Sequence, residues 1–327
     1  MPAETRFKRL VGLVGRGGLL VEKALYQRSR ALLGKPPDRL HLFVAGMQRS
    51  GTNMIMDVLE RHIDTVVYHE RDTRAFDNYQ MRDRKVIHGL ADRSLAPVFV
   101  IKALCESHEL SYLMDDFMPA KALWVLRNYR DVVNSMRVSF GNQANQVKWV
   151  VANKGESGWW LGRGISEETR AVLQRLVRPD IDDANACALQ WYFRNKTYFE
   201  QYLESDPRVL LVNYDALVAE PDSSLKAVLD FVGLAYNRRV ARGIFPTSVG
   251  RRSPPVIDAE IESVCDGSIR NSVGFSRVTC VTSPVRRTPL RCDRAGGHHV
   301  YDSSEVAVRR GGGCQTQSSK RRVMDIE

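Results

Sequence analysis

The sequence lacks the features that would place it in a membrane or in a disulfide framework. No run of about eighteen consecutive apolar residues occurs, and the best N-terminal candidate, residues 10–25, is interrupted by Arg16, Glu22 and Lys23. The six cysteines are scattered, without the short paired spacings of zinc sites or redox motifs. We therefore expect no transmembrane span, no signal peptide, no metal and a reducing, cytoplasmic setting.

The net charge of the chain excludes few classes of binding partner. The 327 residues are 43% hydrophobic, enough for one large core, and carry a formal net charge of +10. A basic balance suits a nucleic acid, an anionic membrane or a polyanionic nucleotide equally well. The partner must therefore be inferred from motifs.

Residues 1–39 and 277–327 differ in character from the main domain, residues 40–276. The first segment is basic and amphipathic with a glycine-rich break, which favours a helix packed on the domain; weak contact with a membrane surface is the alternative. After Arg277 the chain has no Phe or Trp, and nine Lys or Arg face five Asp or Glu. We expect this tail to be disordered or to derive from an aberrant reading frame.

The main domain alternates short apolar runs with helical patterns. This alternation predicts an α/β fold with a three-layer arrangement, a parallel sheet flanked by helices, and ligands at the carboxyl ends of the strands. Residues 140–208 show no strand pattern and hold four of the five tryptophans, which indicates a helical insertion. The predicted strands are Leu40 to Ala45, Thr65 to Tyr68, Val98 to Ile101, Ala122 to Leu126 and Val209 to Val212.

The first predicted strand runs into a glycine-bounded loop, residues 46–53, and then into a helix. Backbone amides at such a helix N-terminus form an anion site of the P-loop type. A kinase-type loop would continue with Lys and Ser or Thr after Gly51, but this chain has Thr52 and Asn53. Arg49 instead places a cation inside the loop, so phosphoryl transfer from ATP is disfavoured.

Residues 49–53 resemble the 5′-phosphosulfate loop of the sulfotransferases that use 3′-phosphoadenosine-5′-phosphosulfate (PAPS), including the bacterial type. Residues 124–136 resemble the 3′-phosphate motif of the same family, with Arg127 and Ser135 at the phosphate-binding positions. The likeness extends over about residues 40–276, and residues 248–252 resemble the late loop that closes over the nucleotide.

The resemblance implies transfer of a sulfuryl group from PAPS to a hydroxyl or amine of a glycan, lipid or small molecule. It also implies that Arg49 and the loop amides stabilise the leaving oxygen and that Lys102, after the central strand, reaches the reaction centre. The PAPS-binding residues it indicates are Gln48, Arg49, Ser50, Gly51, Thr52, Asn53, Arg127, Ser135, Ser248, Arg251 and Arg252.

At the position of the general base, the sequence departs from the pattern of many cytosolic members, which have a histidine two residues after the lysine that corresponds to Lys102. This chain has Leu104 there. A branch resembling the tyrosylprotein enzymes uses a glutamate near a Thr-Arg pair, and residues 68–74 are similar. Glu70 is therefore the first candidate and Asp72 the second, each with a solvated acidic turn as the alternative.

Three other interpretations stay open at this stage. A P-loop kinase or hydrolase would turn over ATP with magnesium, and a nucleic-acid-binding module would bind in a salt-dependent manner. An inactive family member is the third. For Trp159 and Trp160, core packing is more common than a place in the acceptor pocket.

Overall fold

A five-stranded parallel sheet lies at the centre of the structure, in the order β2-β5-β1-β6-β7. A separate two-stranded antiparallel hairpin is formed by β3 and β4. All five predicted strands are confirmed, and the hairpin was missed. The strands are β1 Leu40–Gly46, β2 Thr65–Tyr68, β3 Phe76–Asp77, β4 Gln80–Met81, β5 Val98–Lys102, β6 Ala120–Leu126 and β7 Val209–Asn213.

Helices cover both faces of the sheet, which confirms the predicted α/β architecture. The described chain between β6 and β7 is helical, and N-cap side chains such as Asn128, Ser166 and Asp182 begin these helices by accepting amide hydrogen bonds. The helices are α1 Ala3–Leu33, α2 Thr52–Glu60, α3 Arg84–Asp92, α4 Leu110–Asp116, α5 Tyr129–Ser139, α6 Gln143–Ala152, α7 Glu167–Leu176, α8 Asp183–Glu200, α9 Tyr214–Ala219, α10 Pro221–Val232 and α11 Ala259–Ser276.

This computed structural model describes residues 3–33, 39–153, 159–242, 244, 249–250 and 252–276. Contacts divide the chain into residues 1–282 and 283–327, and the second unit lies wholly outside the described residues. The expectations for the tail, for Ser248 and for Arg251 therefore also lie outside them.

Alternation along the buried strands divides the core between the two sheet faces. In β1, Leu42 and Val44 join one hydrophobic cluster, whereas Phe43 and Ala45 join the other. All five residues of β5 are buried. Because both faces are covered, these strands are continuous apolar runs, and their polar loops gather at the carboxyl edge.

The N-terminal helix α1 docks on the sheet edge through polar groups. Lys23 Nζ donates to Glu60 O at 2.7 Å and to Thr65 Oγ1 at 3.1 Å, and Gln27 Nε2 donates to Ile63 O at 2.8 Å and Thr65 O at 3.1 Å. Burial lowers the pKa of Lys23 to about 8. Among the described residues, no helix has the length and apolar character needed to cross a membrane.

Two buried charges hold the chain that follows β5. Arg194 on α8 donates to Leu104 O at 2.8 Å and to Ser107 Oγ at 2.5 Å. Glu106 accepts the Met81 amide at 2.7 Å, and burial raises its pKa to about 7. The hairpin, the β5 loop and α8 are thereby joined.

Replacing Glu106 with Gln should change how stability depends on pH. The folded chain holds the Glu106 proton to about pH 7, against an ordinary value of 4.5. Because the folded state then binds more protons than the unfolded state, stability falls as pH rises between those values, by on the order of 3 kcal/mol. Glu106→Gln keeps an acceptor for Met81 and should remove this loss. Urea unfolding at about pH 5 and about pH 8 measures it; equal effects of the substitution at both pH values would contradict the assignment.

Candidate active site

The loop between β1 and α2 is packed too closely for side chains at two positions. Gly46 has a φ of +132°, and a Cβ atom there would lie 2.5 Å from Val125 O. Gly51 has a φ of +100°, and a Cβ atom would lie 2.2 Å from Tyr214 Cδ2. Arg49 between them is left-handed, with a φ of +66°. The loop is thus a tight turn that ends at the N-terminus of α2.

A cavity of about 870 Å³ opens beside this loop at the carboxyl edge of the sheet. It collects residues from the chain after β1, β2, β5 and β6, as expected for an α/β fold. Ser50 is buried and does not line it. The predicted donor residues that line the cavity are Gln48, Arg49, Gly51, Thr52, Asn53, Arg127, Ser135 and Arg252.

The two phosphate motifs meet through direct contacts. Arg49 Nε donates to Ser135 Oγ at 2.9 Å, and Arg127 Nη1 donates to Arg49 O at 3.2 Å. The Arg127 guanidinium also lies over the Tyr214 ring, 4.7 Å from its centroid, and 3.8 Å from the Asp131 carboxylate. Residues 78 positions apart in sequence therefore form one basic surface.

The late loop approaches the same place. The Gly250 amide donates to the Asp131 carboxylate at 3.2 Å, and Asn134 Nδ2 donates to Ser253 O at 3.0 Å. Arg252 lies between these anchors and lines the cavity. The described part of the loop thus flanks α5, which carries Ser135 and begins two residues after Arg127.

Lys102 and Glu70 form an ion pair on the cavity wall. The Lys102 Nζ to Glu70 Oε2 distance is 2.5 Å, and Nζ also donates to Asn53 Oδ1 at 2.7 Å. Only 2% of the Lys102 side chain is exposed, against 25% of Glu70. Burial lowers the pKa of Lys102, and the charge of Glu70 opposes this shift. Both residues line the cavity.

Asp72, the second candidate base, faces another partner. Its carboxylate accepts two hydrogen bonds from the Arg74 guanidinium, at 2.9 and 2.6 Å, and it does not line the cavity. These bonds hold the pKa of Asp72 below its ordinary value. The geometry therefore favours Glu70 over Asp72.

The outer half of the cavity contains residues that the sequence did not indicate. Asn78 and Tyr79 form the β3–β4 turn, with φ values of +45° and +63°. Two left-handed residues suit a tight hairpin, but strands of two residues give no periodicity to detect. Trp159 and Trp160 line this half and also pack against the core. The remaining unpredicted lining residues are Arg71, Gln80, Cys105, Asp131, Asn134, Val138, Ser139, Phe140 and Tyr214, with Leu104.

Cations outnumber carboxylates on the cavity wall. Two carboxylates, Glu70 and Asp131, face five cationic side chains, which are Arg49, Arg71, Lys102, Arg127 and Arg252. A ligand with several negative charges fits such a surface. One described grouping of metal-ligating types exists, formed by Asp57, Glu60 and His69 within 4.8 Å of one another, but it does not line the cavity.

The parallel sheet and the glycine-bounded loop without a Walker lysine are typical of a P-loop-type fold, and the basic cavity suits a polyanionic ligand. The chain belongs to the sulfotransferase family, because the family model described as "Sulfotransferase domain" matches residues 39–248. The predicted family, fold type and enzyme class are thereby confirmed. Sulfuryl transfer is favoured over the kinase and nucleic-acid-binding alternatives.

Solved structures of sulfotransferases are similar at low sequence identity. The sulfotransferase domain of the Synechococcus PCC 7002 olefin synthase is 13% identical, covers 72% of this chain and 97% of its own, and has a TM-score of 0.45. The Alicyclobacillus acidocaldarius sulfotransferase is 15% identical over 74% and 96%, with a TM-score of 0.43. Mouse sulfotransferase SULT7A1 complexed with PAP is 15% identical over 75% and 86%, with a TM-score of 0.38. No curated protein matches the chain, so the family model carries the assignment.

Replacing Gly51 with Ala should lower the free energy of unfolding of the protein more than replacing Gly233 with Ala does. Both glycines have a positive φ, but a Cβ at Gly233 would meet no atom within 4 Å, whereas one at Gly51 would meet Tyr214. The shared backbone strain costs about 1–2 kcal/mol, and the Tyr214 clash should add about 1–3 kcal/mol. Denaturant unfolding of the two variants measures the difference. Equal losses would show that Tyr214 does not constrain the loop.

Proposed function

We propose that this sulfotransferase takes PAPS as its sulfuryl donor, with the 5′-phosphosulfate at residues 46–53 and the 3′-phosphate at Arg127 and Ser135. The contact between Arg49 and Ser135, at 2.9 Å, carries the proposal. Residues of both motifs also line the same cavity, which supports a ligand with anions at both ends. Arg252, with Ser248 and Arg251, is proposed to close over the nucleotide phosphate.

The excess of cationic side chains supports a donor of this kind. Arginine binds phosphate oxygens through paired, charge-assisted hydrogen bonds. Arg127 is buried, with 7% of its surface exposed, so its contacts with an anion would be little screened by water. Arg49 and Lys102 supply positive charge on the cavity wall, although the loop has no Walker lysine.

The sulfuryl group is then transferred by an in-line displacement. The acceptor oxygen or nitrogen forms a bond to sulfur while the bond between sulfur and the 5′-phosphate oxygen breaks, and the electron pair of that bond stays on the phosphate. Arg49, Lys102 and the loop amides stabilise this developing charge. The acceptor's proton goes to the Glu70 carboxylate.

The Lys102–Glu70 pair serves both sides of this step. Lys102 Nζ is held between Glu70 and Asn53, so it lies within reach of the loop and of the base. Charge on the departing phosphate competes with Glu70 for Lys102, which frees the carboxylate to accept a proton. Acceptors are proposed to enter past Trp159 and Trp160 on the outer wall.

Substituting Arg127 with Lys should weaken donor binding. The lysine keeps the charge but loses the planar fork and the stacking on Tyr214. We expect the affinity for 3′-phosphoadenosine-5′-phosphate, measured by calorimetry, to fall about 10- to 100-fold. Arg130→Lys is the matched control, because Arg130 pairs with Glu262 and Asp266 and does not line the cavity. Equal affinities for both variants would remove Arg127 from the donor site.

Substituting Glu70 with Gln should slow transfer without loss of donor binding. Removing a general base costs about 100- to 10,000-fold in kcat. Asp72→Asn is the matched control, since its carboxylate lies two residues away and is bound to Arg74. Single-turnover rates with saturating donor provide the measurement. A larger loss in the Asp72 variant would reverse the assignment.

The proposed donor is tested by incubating the enzyme with labelled PAPS and a panel of glycan, lipid, phenol, amine and peptide acceptors. The expected product gains one sulfuryl group by mass. ATP turnover with magnesium, together with failure to bind 3′-phosphoadenosine-5′-phosphate, would contradict the proposal.

A further inference from the structure

In the part of α1 whose side chains the structure describes, three strongly exposed apolar residues lie on the side opposite the polar contacts with the domain. Val21, Leu25 and Leu32 are 61%, 63% and 88% exposed, and with Arg28 they recur at helical spacing on one face. We name these four residues the outer stripe. The docked side of the helix is polar instead, through Lys23 and Gln27. A surface helix usually has the reverse arrangement, with its apolar face toward the core.

A groove of about 560 Å³ adjoins the outer stripe, between α1, β2 and α3. Its walls include the apolar side chains Val66, Tyr68, Val86, Leu90 and Leu95. Three arginines also line it, and no carboxylate does so among the described residues; they are Arg28, Arg74 and Arg93. We name this feature the arginine groove.

The arginines of the groove differ in their partners. Arg74 binds Asp72 and lies over the Tyr68 ring, 5.0 Å from its centroid. Arg28 and Arg93 form no ion pair with any residue that the structure describes. Two uncompensated cations thus lie beside exposed aliphatic side chains, a combination that matches the boundary between lipid headgroups and acyl chains.

We propose that the outer stripe and the arginine groove dock this protein on an anionic lipid bilayer. Val21, Leu25 and Leu32 enter the headgroup boundary, while Arg28 and Arg93 take lipid phosphates. The helix is suited to this by charge as well, because residues 3–33 contain seven Lys or Arg and two Glu.

Charge also favours a bilayer over a second copy of the chain. A twofold dimer through the outer stripe would place one net-positive helix against another, and like charges across an interface are unfavourable. An acidic bilayer supplies the opposite charge over the whole length of the helix. The proposal is independent of the donor assignment, since none of these residues lines the active-site cavity.

The test is co-sedimentation of the full chain with vesicles of phosphatidylglycerol and phosphatidylcholine, compared with phosphatidylcholine alone. We expect binding to the acidic vesicles only, weakened by salt. The double variant Arg28→Gln, Arg93→Gln should reduce the partition coefficient roughly 25-fold, about fivefold for each arginine. Leu25→Ser should reduce it about tenfold.

Matched controls come from exposed residues that do not line the groove. These are Arg239→Gln and Val256→Ser, and Val256 is 89% exposed. These variants should bind vesicles as the parent chain does. Binding that survives both the arginine and the Leu25 substitutions would assign it to other basic segments and overturn the proposal. A parent chain that is dimeric by light scattering and becomes monomeric on Leu25→Ser would likewise overturn it in favour of a second copy.

Discussion

The contact of the phosphate loop with its two neighbours constrains the rest of the active site. Gly46 leaves no space between β1 and the Val125 carbonyl, and Gly51 leaves none beside the Tyr214 ring. Through these contacts the loop is fixed to β6 and to the start of α9. Because Arg127 follows the end of β6 and stacks on Tyr214, the same contacts position Arg127 against the loop. Backbone proximity thus makes the two motifs one site.

The secondary structure of the domain could be predicted from the sequence because its strands are buried on both faces. Runs such as residues 98–101 have no polar positions, so they differ clearly from the helical segments around them. The lining of the cavity could be predicted where a loop or strand end has a fixed relation to the sheet, as at Arg49, Lys102 and Arg127. Side chains of the short β3–β4 hairpin could not be predicted, because a two-residue strand has no periodicity. For Trp159 and Trp160 the sequence offered the cavity only as the less common alternative to core packing, and the structure shows both.

The sequence placed Glu70 before Asp72 only by resemblance, without a physical reason to separate these two acidic residues after β2. Glu70 and Asp72 are two positions apart, and both belong to a pattern with several charged side chains. The two carboxylates differ in their ion-pair partners. Lys102 reaches Glu70 from the neighbouring strand, whereas Arg74 folds back onto Asp72 from the same turn. The packing of α1 also differs from its pattern, because an apolar face was expected to meet the domain and the described side-chain contacts are polar, through Lys23 and Gln27.

The ion pair between Lys102 and Glu70 has a consequence for the order of events. The buried ammonium group of Lys102 lies 2.5 Å from the Glu70 carboxylate, so one carboxylate oxygen is already engaged in an ion pair. The loop proposed to receive the donor includes Asn53, the second partner of Lys102, so an anion bound there would compete with Glu70 for the same ammonium group. Under the proposed function, the donor and the acceptor's base therefore share one cation, and an occupied donor loop would alter the contacts of Glu70 before transfer begins.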